Sequence, residues 1–198
     1  MVNPVRDNNC FAIGNDGIKP PFTNTHLYRR QKSADFSNGV KLSAYKKRRD
    51  FKKTCEPRDE EAIISLARPI YLVQKHDARN LHYDLRLEID GVLKSWAVPK
   101  MPSTDPLVKR LAVQTEDHPL AYAAFEGMIP EGEYGAGKVE IWDRGTFENI
   151  KKEKSLNSQY RAGQLEVDLK GRRLKGAYVL IKTGPGKNWL LKKMRAEE

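Results

Sequence analysis

Cysteine is scarce in this sequence, and long apolar runs are absent from it. The 198 residues include only two cysteines, Cys10 and Cys55, with no His or Cys beside either at the spacing of a zinc site. We interpret both as free thiols of a reducing compartment, the alternative being a Cys10–Cys55 disulfide. No apolar stretch approaches the roughly 20 residues of a membrane-spanning helix, and residues 1–11 contain no signal-peptide core. We therefore expect a cytoplasmic protein without membrane contact.

Two signatures of nucleotide chemistry are also missing. No Lys-x-Asp-Gly occurs, and Glu88-Ile-Asp-Gly91 lacks the lysine that a ligase needs to carry a nucleotide covalently. The glycine-dense stretch Ile129–Gly137 matches neither a Walker A loop nor a dinucleotide fingerprint. A ligase is therefore disfavoured. We interpret the glycine-dense stretch as a tight connection between strands, the alternative being a backbone cradle for phosphate.

The net charge of +10 is unevenly distributed. Residues 1–60 hold 13 Lys and Arg against 7 Asp and Glu, and residues 151–198 hold 13 against 5, whereas residues 61–150 hold 10 against 14. Basic flanks around an acidic centre are typical of basic surfaces that bind a nucleic-acid backbone around a cation-binding site. The alternative is a solubilising charge distribution with a solvated basic tail.

The chain divides near residue 42. Residues 1–41 are rich in Asn, Gly, Pro and Ser and poor in periodic apolar residues, so we expect a flexible, poorly ordered N-terminal extension there. Residues 42–198 are expected to form one domain. Its first segment, Leu42–Phe51, has helix-compatible residues throughout and predicts a short helix.

Short alternating runs, broken by Gly, Pro and Asp, begin at Pro69 and are typical of strands. Asp90-Gly91 predicts a two-residue type I′ hairpin, because both positions of that turn need positive φ, and Gly171–Gly176 predicts another reversal. No long helices alternate with the strands, which disfavours a parallel sheet. The predicted fold class is mainly β, a compact closed or nearly closed antiparallel β-barrel. The candidate strands are Ile70–Gln74, His82–Ile89, Val92–Val98, Leu111–Glu116, Lys138–Trp142, Gln164–Leu169, Ala177–Thr183 and Trp189–Lys193.

The predicted strand His82–Ile89 carries an unusual polar face. Side chains alternate between the two faces of a strand, so His82, Asp84 and Arg86 lie on one face, at steps of about 7 Å, and the apolar side chains lie on the other. His76 lies upstream, in a predicted loop that can fold back over the polar face. The apolar face is expected to line the core.

Two imidazoles and a carboxylate form a donor set that suits Mn²⁺, Fe²⁺ or Zn²⁺, with positions left open for water and substrate. The adjacent Arg86 guanidinium matches the geometry of phosphate oxygens. A Lewis acid beside a fixed donor is what a phosphoryl substrate requires. The alternative is the polar outer face of an edge strand with an ordinary salt bridge, which gives His76 no role.

A second polar face is predicted along Arg110–Pro119, where polar side chains alternate with Leu111 and Val113. Glu116 and His118 fall at the end of the predicted strand. A histidine there is often only structural, but two strands that each present a polar face with histidine favour a shared cleft.

These residues resemble the 3′-phosphoesterase module of the bacterial DNA ligase D repair enzymes and its stand-alone archaeal and bacterial relatives. The resemblance extends in order from about Tyr45 to the C-terminus. The stretches that carry it are Gln74-Lys-His-Asp-Ala-Arg79, Leu81–Glu88, Leu93–Lys100, Arg110–Pro119, Phe125–Gly137 and Trp142-Asp-Arg-Gly145.

The resemblance implies a β-barrel enzyme of non-homologous end joining that uses Mn²⁺ to remove a 3′-terminal ribonucleoside and then the 3′-phosphate, leaving a 3′-OH. It implies His76, His82 and Asp84 as metal ligands, with Co²⁺ or Zn²⁺ as alternative ions. It implies that Arg86 and His118 hold the scissile phosphate. The other catalytic positions that match are Arg49, Asp50, Glu56, Lys100, Arg110, Glu116 and Tyr122.

The partners implied are DNA or RNA 3′ ends, including primer–template duplexes, and a DNA ligase or other end-joining proteins; we expect a monomer. A catalytically silent nucleic-acid-binding module that recruits repair partners is the main alternative. It explains the basic flanks but gives the converging His76, His82 and Asp84 no role. A hydrolase of small phosphoesters is a further alternative, and it predicts turnover of free nucleotides.

Overall fold

A computed structural model of the chain describes residues 28–30, 42–58, 63–65 and 68–195. The helices within them are α1 (Ser43–Lys47), a 3₁₀ helix (Leu120–Ala124) and α2 (Leu156–Ala162). The strands are β1 (Tyr28–Arg30), β2 (Ile63–Ser65), β3 (Ile70–Asp77), β4 (Leu81–Ile89), β5 (Val92–Val98), β6 (Lys109–Gln114), β7 (Gly127–Ile129), β8 (Gly137–Asn149), β9 (Gln164–Gly171), β10 (Lys175–Lys182) and β11 (Asn188–Lys193).

Eight strands close into an antiparallel barrel in the order β3-β4-β5-β6-β11-β10-β9-β8, and β8 pairs with β3 to complete the ring. Strand β7 adds to β8, and β1 and β2 form a separate antiparallel pair. Closure leaves no unpaired edge in the ring. The predicted mainly β, closed antiparallel barrel is confirmed.

The two faces of the barrel wall carry different clusters. The interior is filled by one apolar cluster, to which β4 contributes the alternating residues from Tyr83 to Ile89 that were predicted to line the core. A second apolar cluster, with Leu72 and Leu93, covers the outer face of β3 and β5 beneath Tyr45 and the 3₁₀ helix. The polar face of β4 therefore lies on the outside of the barrel, under the segment 42–58.

The turns follow the sequence signals closely. Asp90 and Gly91 have φ of 52° and 76°, which confirms the predicted type I′ hairpin between β4 and β5. The reversal predicted at Gly171–Gly176 joins β9 to β10.

Several boundaries differ from the prediction. The predicted helix Leu42–Phe51 is limited to the five residues of α1, and strand β8 continues seven residues beyond the predicted end at Trp142. Helix α2 was not predicted, although Ser155 caps its first turn by accepting a hydrogen bond from the Ser158 N–H and Gly163 ends it in the left-handed conformation.

Two placements predicted near the site are wrong. His76 lies within strand β3, directly opposite His82, and not in a loop. The polar face expected along Arg110–Pro119 is not continuous: β6 ends at Gln114, whose side chain bonds to Trp189 and Tyr160 of the barrel interior. Beyond Gln114 the chain turns outward, and an isolated bridge to Leu93 holds His118 on the outer face.

Three further predictions concern the cysteines, the N-terminal extension and contact with a membrane. Cys55 is disulfide-bonded, so the prediction of a free thiol is wrong there; Cys10 lies outside the described residues. Of the extension predicted over residues 1–41, only β1 is described. Within the part of the chain that the structure describes, no helix is long and apolar enough to cross a bilayer.

Candidate active site

Three candidate metal ligands meet on the outer face of β3 and β4. Ligand atoms of His76, His82 and Asp84 all lie within 4.8 Å of one another. The Asp84 carboxylate is 3.6 Å from His76 Nδ1 and 3.7 Å from His82 Nε2, distances too long for hydrogen bonds. Two atoms that bind one ion at about 2.1 Å and a near-tetrahedral angle lie roughly 3.4 Å apart. The spacing of the three side chains therefore fits a shared transition-metal ion.

The far side of each imidazole is fixed by a backbone carbonyl. His76 donates from Nε2 to the Gly135 carbonyl at 2.8 Å, and His82 donates from Nδ1 to the Asn80 carbonyl at 2.8 Å. These bonds leave His76 Nδ1 and His82 Nε2 as the ring nitrogens that face Asp84 and that a metal ion would use. Ligating histidines in metal sites are oriented in this way.

The glycine-dense connection between β7 and β8 supplies one of these carbonyls. Gly135 has φ of 80°, which a larger residue adopts only with strain. A Cβ atom at this position would lie 3.6 Å from the His76 ring. The predicted tight connection between strands therefore also orients a candidate ligand.

Arg86 joins the ligands to the rest of the site. It is 2% exposed and donates to Gln74 Oε1, Ser95 Oγ and Asp84 Oδ2 at 2.8–3.1 Å. Burial alone would raise the pKa of Asp84, but Arg86 and the two imidazoles hold that pKa below its usual value. Asp84 is therefore an anion, ready to bind a cation.

His118 lies between two guanidinium groups. Its Nδ1 is 2.9 Å from Arg86 Nη1, and its Nε2 is 3.3 Å from Arg49 Nη2. Either neutral tautomer gives one guanidinium an acceptor, whereas an imidazolium would set two donors against two cations. Burial, Arg86 and Arg49 together hold the pKa of His118 well below its ordinary value of 6.5. His118 is therefore neutral at pH 7.

This depressed pKa predicts a dependence of stability on pH. The unfolded chain binds more protons than the folded chain from about pH 6.5 down to the folded pKa of His118, so the free energy of unfolding falls as the pH decreases through that window. The contribution is at most about 1.4 kcal/mol per pH unit. His118→Asn keeps an acceptor for Arg86 but removes the group that gains a proton.

We expect urea denaturation in the presence of a chelator to show a steeper loss of stability below pH 6.5 for the wild type than for His118→Asn. The difference between the two curves isolates His118 from the other histidines. Parallel curves of unfolding free energy against pH for the two proteins would contradict the lowered pKa of His118.

The segment 42–58 closes the site from the outside through a buried ion-pair cluster. Arg49 donates to Glu56 at 2.8 Å and to Glu116 at 3.1 Å, and Tyr122 donates to Glu56 at 3.0 Å. Burial opposes the charge of Arg49, yet Glu56 raises the pKa of that guanidinium. Burial and Glu56 also raise the pKa of Tyr122 well above its usual value, so its hydroxyl remains a donor.

The formal charges of this assembly balance without an ion. Arg48, Arg49 and Arg86 pair with three carboxylates, those of Glu56, Asp84 and Glu116. A divalent cation at the three ligands would change the local charge from 0 to +2. That change would make the assembly attractive to a phosphate.

The structure brings together nine of the twelve predicted site residues and places three elsewhere. Asp50 lies in an exposed turn, where it accepts from the Lys52 N–H and pairs with Lys53. Arg110 donates from Nε to the Met101 carbonyl, and the nearby Lys100 is exposed. Among the contacts of the described residues, none joins these three to the ligands, and their roles stay predictions. The nine are Arg49, Glu56, His76, His82, Asp84, Arg86, Glu116, His118 and Tyr122.

Sequence reasoning missed three contributors. Gln74 is fully buried and links the Phe125 carbonyl to Arg86, Ser95 bonds to Arg86, and Arg48 pairs with Glu116 and Tyr134. Strand alternation could have indicated Gln74, because it lies two residues before His76 and shares its face.

Comparisons with known proteins identify the family of this chain. Residues 74–182, more than half of the chain, match the family model of the DNA Ligase D 3′-phosphoesterase domain. The chain is 49% identical over 163 residues to the multifunctional non-homologous end joining protein LigD of Pseudomonas aeruginosa. This alignment covers 79% of the chain and 19% of that protein. It is 44% identical over 171 residues to the LigD of Mycobacterium tuberculosis, an alignment that covers 83% of the chain and 21% of that protein. The chain thus spans about a fifth of the length of these relatives. It belongs to the DNA ligase D 3′-phosphoesterase domain family.

Proposed function

We propose that this chain is a Mn²⁺-dependent 3′-end-healing phosphoesterase that acts in DNA repair by non-homologous end joining. It removes a 3′-terminal ribonucleoside and then the 3′-phosphate, leaving a 3′-OH. The observation that carries the proposal is the group of His76, His82 and Asp84, with both imidazoles locked by backbone carbonyls. The relatives are named as non-homologous end joining proteins, which supports the pathway.

The donor set limits the ion. Two neutral imidazoles and one carboxylate suit Mn²⁺, with Co²⁺ or Zn²⁺ as alternatives. When bound, the ion supplies Lewis-acid polarisation of a phosphoryl oxygen. Asp84 and the two histidines are the residues that hold it.

The remaining residues position and neutralise the phosphate. Arg86 has five N–H donors, and its bonds to Gln74, Ser95, Asp84 and His118 leave one N–H on Nη2 for a phosphate oxygen. Its main contribution is to hold Asp84 and His118 and to supply a fixed positive charge that needs no reorganisation in the transition state.

His118 donates a hydrogen bond to the bound phosphate. In the free site burial and two guanidinium groups keep His118 neutral. A phosphate anion offsets their charge, which favours the protonated ring only when substrate is present. The terminal ribose 2′-OH forms part of the substrate in the ribonucleoside step, which explains a preference for a ribonucleotide end.

The substrates proposed are DNA or RNA 3′ ends in primer–template duplexes, and the partners are a DNA ligase or other end-joining proteins. A 5′-end-labelled duplex with a single 3′-terminal ribonucleotide, incubated with Mn²⁺, tests the activity directly. We expect a product shortened by one nucleoside, first with a 3′-phosphate and then with a 3′-OH. A mobility shift with intact ends would instead support a binding module and would refute the enzyme.

A further inference from the structure

An exposed aromatic ring lies beside the candidate metal site and has no role in the function proposed above. Tyr134 is 48% exposed and belongs to the glycine-dense connection between β7 and β8. The next residue, Gly135, provides the carbonyl that fixes His76. The ring is thus one residue away from a group that orients a candidate ligand.

Tyr134 is held in place from two sides. The Ala136 N–H donates to the Glu133 carbonyl at 3.1 Å, which closes a turn around the tyrosine. Arg48 donates to the Tyr134 hydroxyl at 2.7 Å and packs over the ring at 4.7 Å from its centroid. Arg48 is fixed in turn by Glu116, at 2.8 Å. An exposed ring that is already ordered loses little entropy when it binds a ligand.

We propose that Tyr134, positioned by Arg48, is a stacking platform for the base of the 3′-terminal nucleoside. This inference rests on the proposed function for the identity of its ligand. Aromatic rings stack on any nucleobase, because every base has a π-face. Bases inside a duplex have both faces occupied by their neighbours, so the terminal base is the one that can offer a face to a side chain. Arg48 packs over one face of the ring, so the base stacks on the opposite face, and the charge of Arg48 suits the adjoining phosphate.

Equilibrium binding in the presence of a chelator tests the platform without any turnover. Two duplexes are compared, one with a single unpaired 3′-terminal adenosine and one with an abasic ribose at the same place. We expect the wild type to prefer the adenosine end by at least about fivefold, the affinity ratio expected for one stacked base. Tyr134→Ala should lose this preference, whereas Tyr134→Phe should keep it, because the ring makes the contact with the base and Arg48 still packs over the ring when the hydroxyl is removed.

The matched control is Leu107→Ala, which truncates a large side chain that is 72% exposed in the loop before β6. It should keep the preference for adenosine. Equal binding of the two ends by the wild type would overturn the platform, as would a preference that Tyr134→Ala retains or that Tyr134→Phe loses. Because the measurement needs no cleavage, failure of the platform is distinguishable from failure of the proposed enzyme, which the end-labelled assay reports separately.

Discussion

Asp84→Asn is expected to abolish both proposed activities while leaving the barrel folded. An amide oxygen is a far weaker ligand for a divalent ion than a carboxylate, and it also removes the anion that faces both imidazoles. Lewis-acid stabilisation of a phosphoryl group contributes several kcal/mol, so the rate should fall at least about a thousandfold. Calorimetric titration with Mn²⁺ and the end-labelled assay measure the two losses independently.

The matched control for this change is Asp105→Asn, in the exposed loop between β5 and β6, where the carboxylate accepts a hydrogen bond from the Leu107 N–H. It should keep full Mn²⁺ binding and activity. Unchanged Mn²⁺ affinity in Asp84→Asn would show that the ion binds elsewhere.

Arg86→Lys is the second substitution with a large expected effect. Lysine keeps the charge but offers three donors from one nitrogen, so it cannot reach Gln74, Ser95, Asp84 and His118 together. Each buried acceptor left without a partner costs about 1–3 kcal/mol. We expect a lower free energy of unfolding and, because Asp84 and His118 lose their common anchor, a loss of activity of at least about a hundredfold.

Urea denaturation and the end-labelled assay measure these two effects, with Arg161→Lys on the exposed face of α2 as the control. If Arg86→Lys had the stability and rate of the control, neither folding nor activity would depend on the four hydrogen bonds of Arg86.

Much of the barrel was predictable because its strands obey one local rule. Residues on β4 and β5 alternate between an apolar interior and a second face, and the pair Asp90-Gly91 supplies the positive φ values that a two-residue hairpin needs. The bounds of β5 follow from the sequence without error. Where side-chain alternation and turn chemistry agree, local signals suffice.

The differences arise where distant contacts override local signals. Strand β8 continues through Asp143 and Gly145, which look like a break, because the Asp143 carboxylate accepts N–H groups from Arg172 and Leu174 and the hydroxyl of Tyr71. Helix α1 ends early, and the chain beyond it places Arg48 and Arg49 on Glu116, almost seventy residues away. Strands of three residues, such as β7, carry too little pattern to detect.

The candidate ligands were predictable only in part from strand geometry. Alternation alone places His82 and Asp84 together, whereas His76 depends on the pairing of β3 with β4. Ser95 was overlooked although the sequence determines it: a two-residue turn at Asp90-Gly91 sets the register that places Ser95 opposite Arg86.

The contacts of the segment 42–58 could not be predicted from local sequence patterns. Its contacts with Glu116 and Tyr122 join parts of the chain that no periodicity connects. The resemblance to a known family pointed to Arg49 and Glu56, but the spatial reason for them, a buried ion-pair cluster that closes over His118, appears only in three dimensions.

Crystals grown with Mn²⁺ and measured at the manganese absorption edge give the most direct test of the site. We expect one anomalous peak bonded to His76 Nδ1, His82 Nε2 and an Asp84 carboxylate oxygen, because backbone carbonyls fix both imidazoles. A peak bonded to other side chains, or an ordered site that stays without a peak at saturating Mn²⁺, would contradict it.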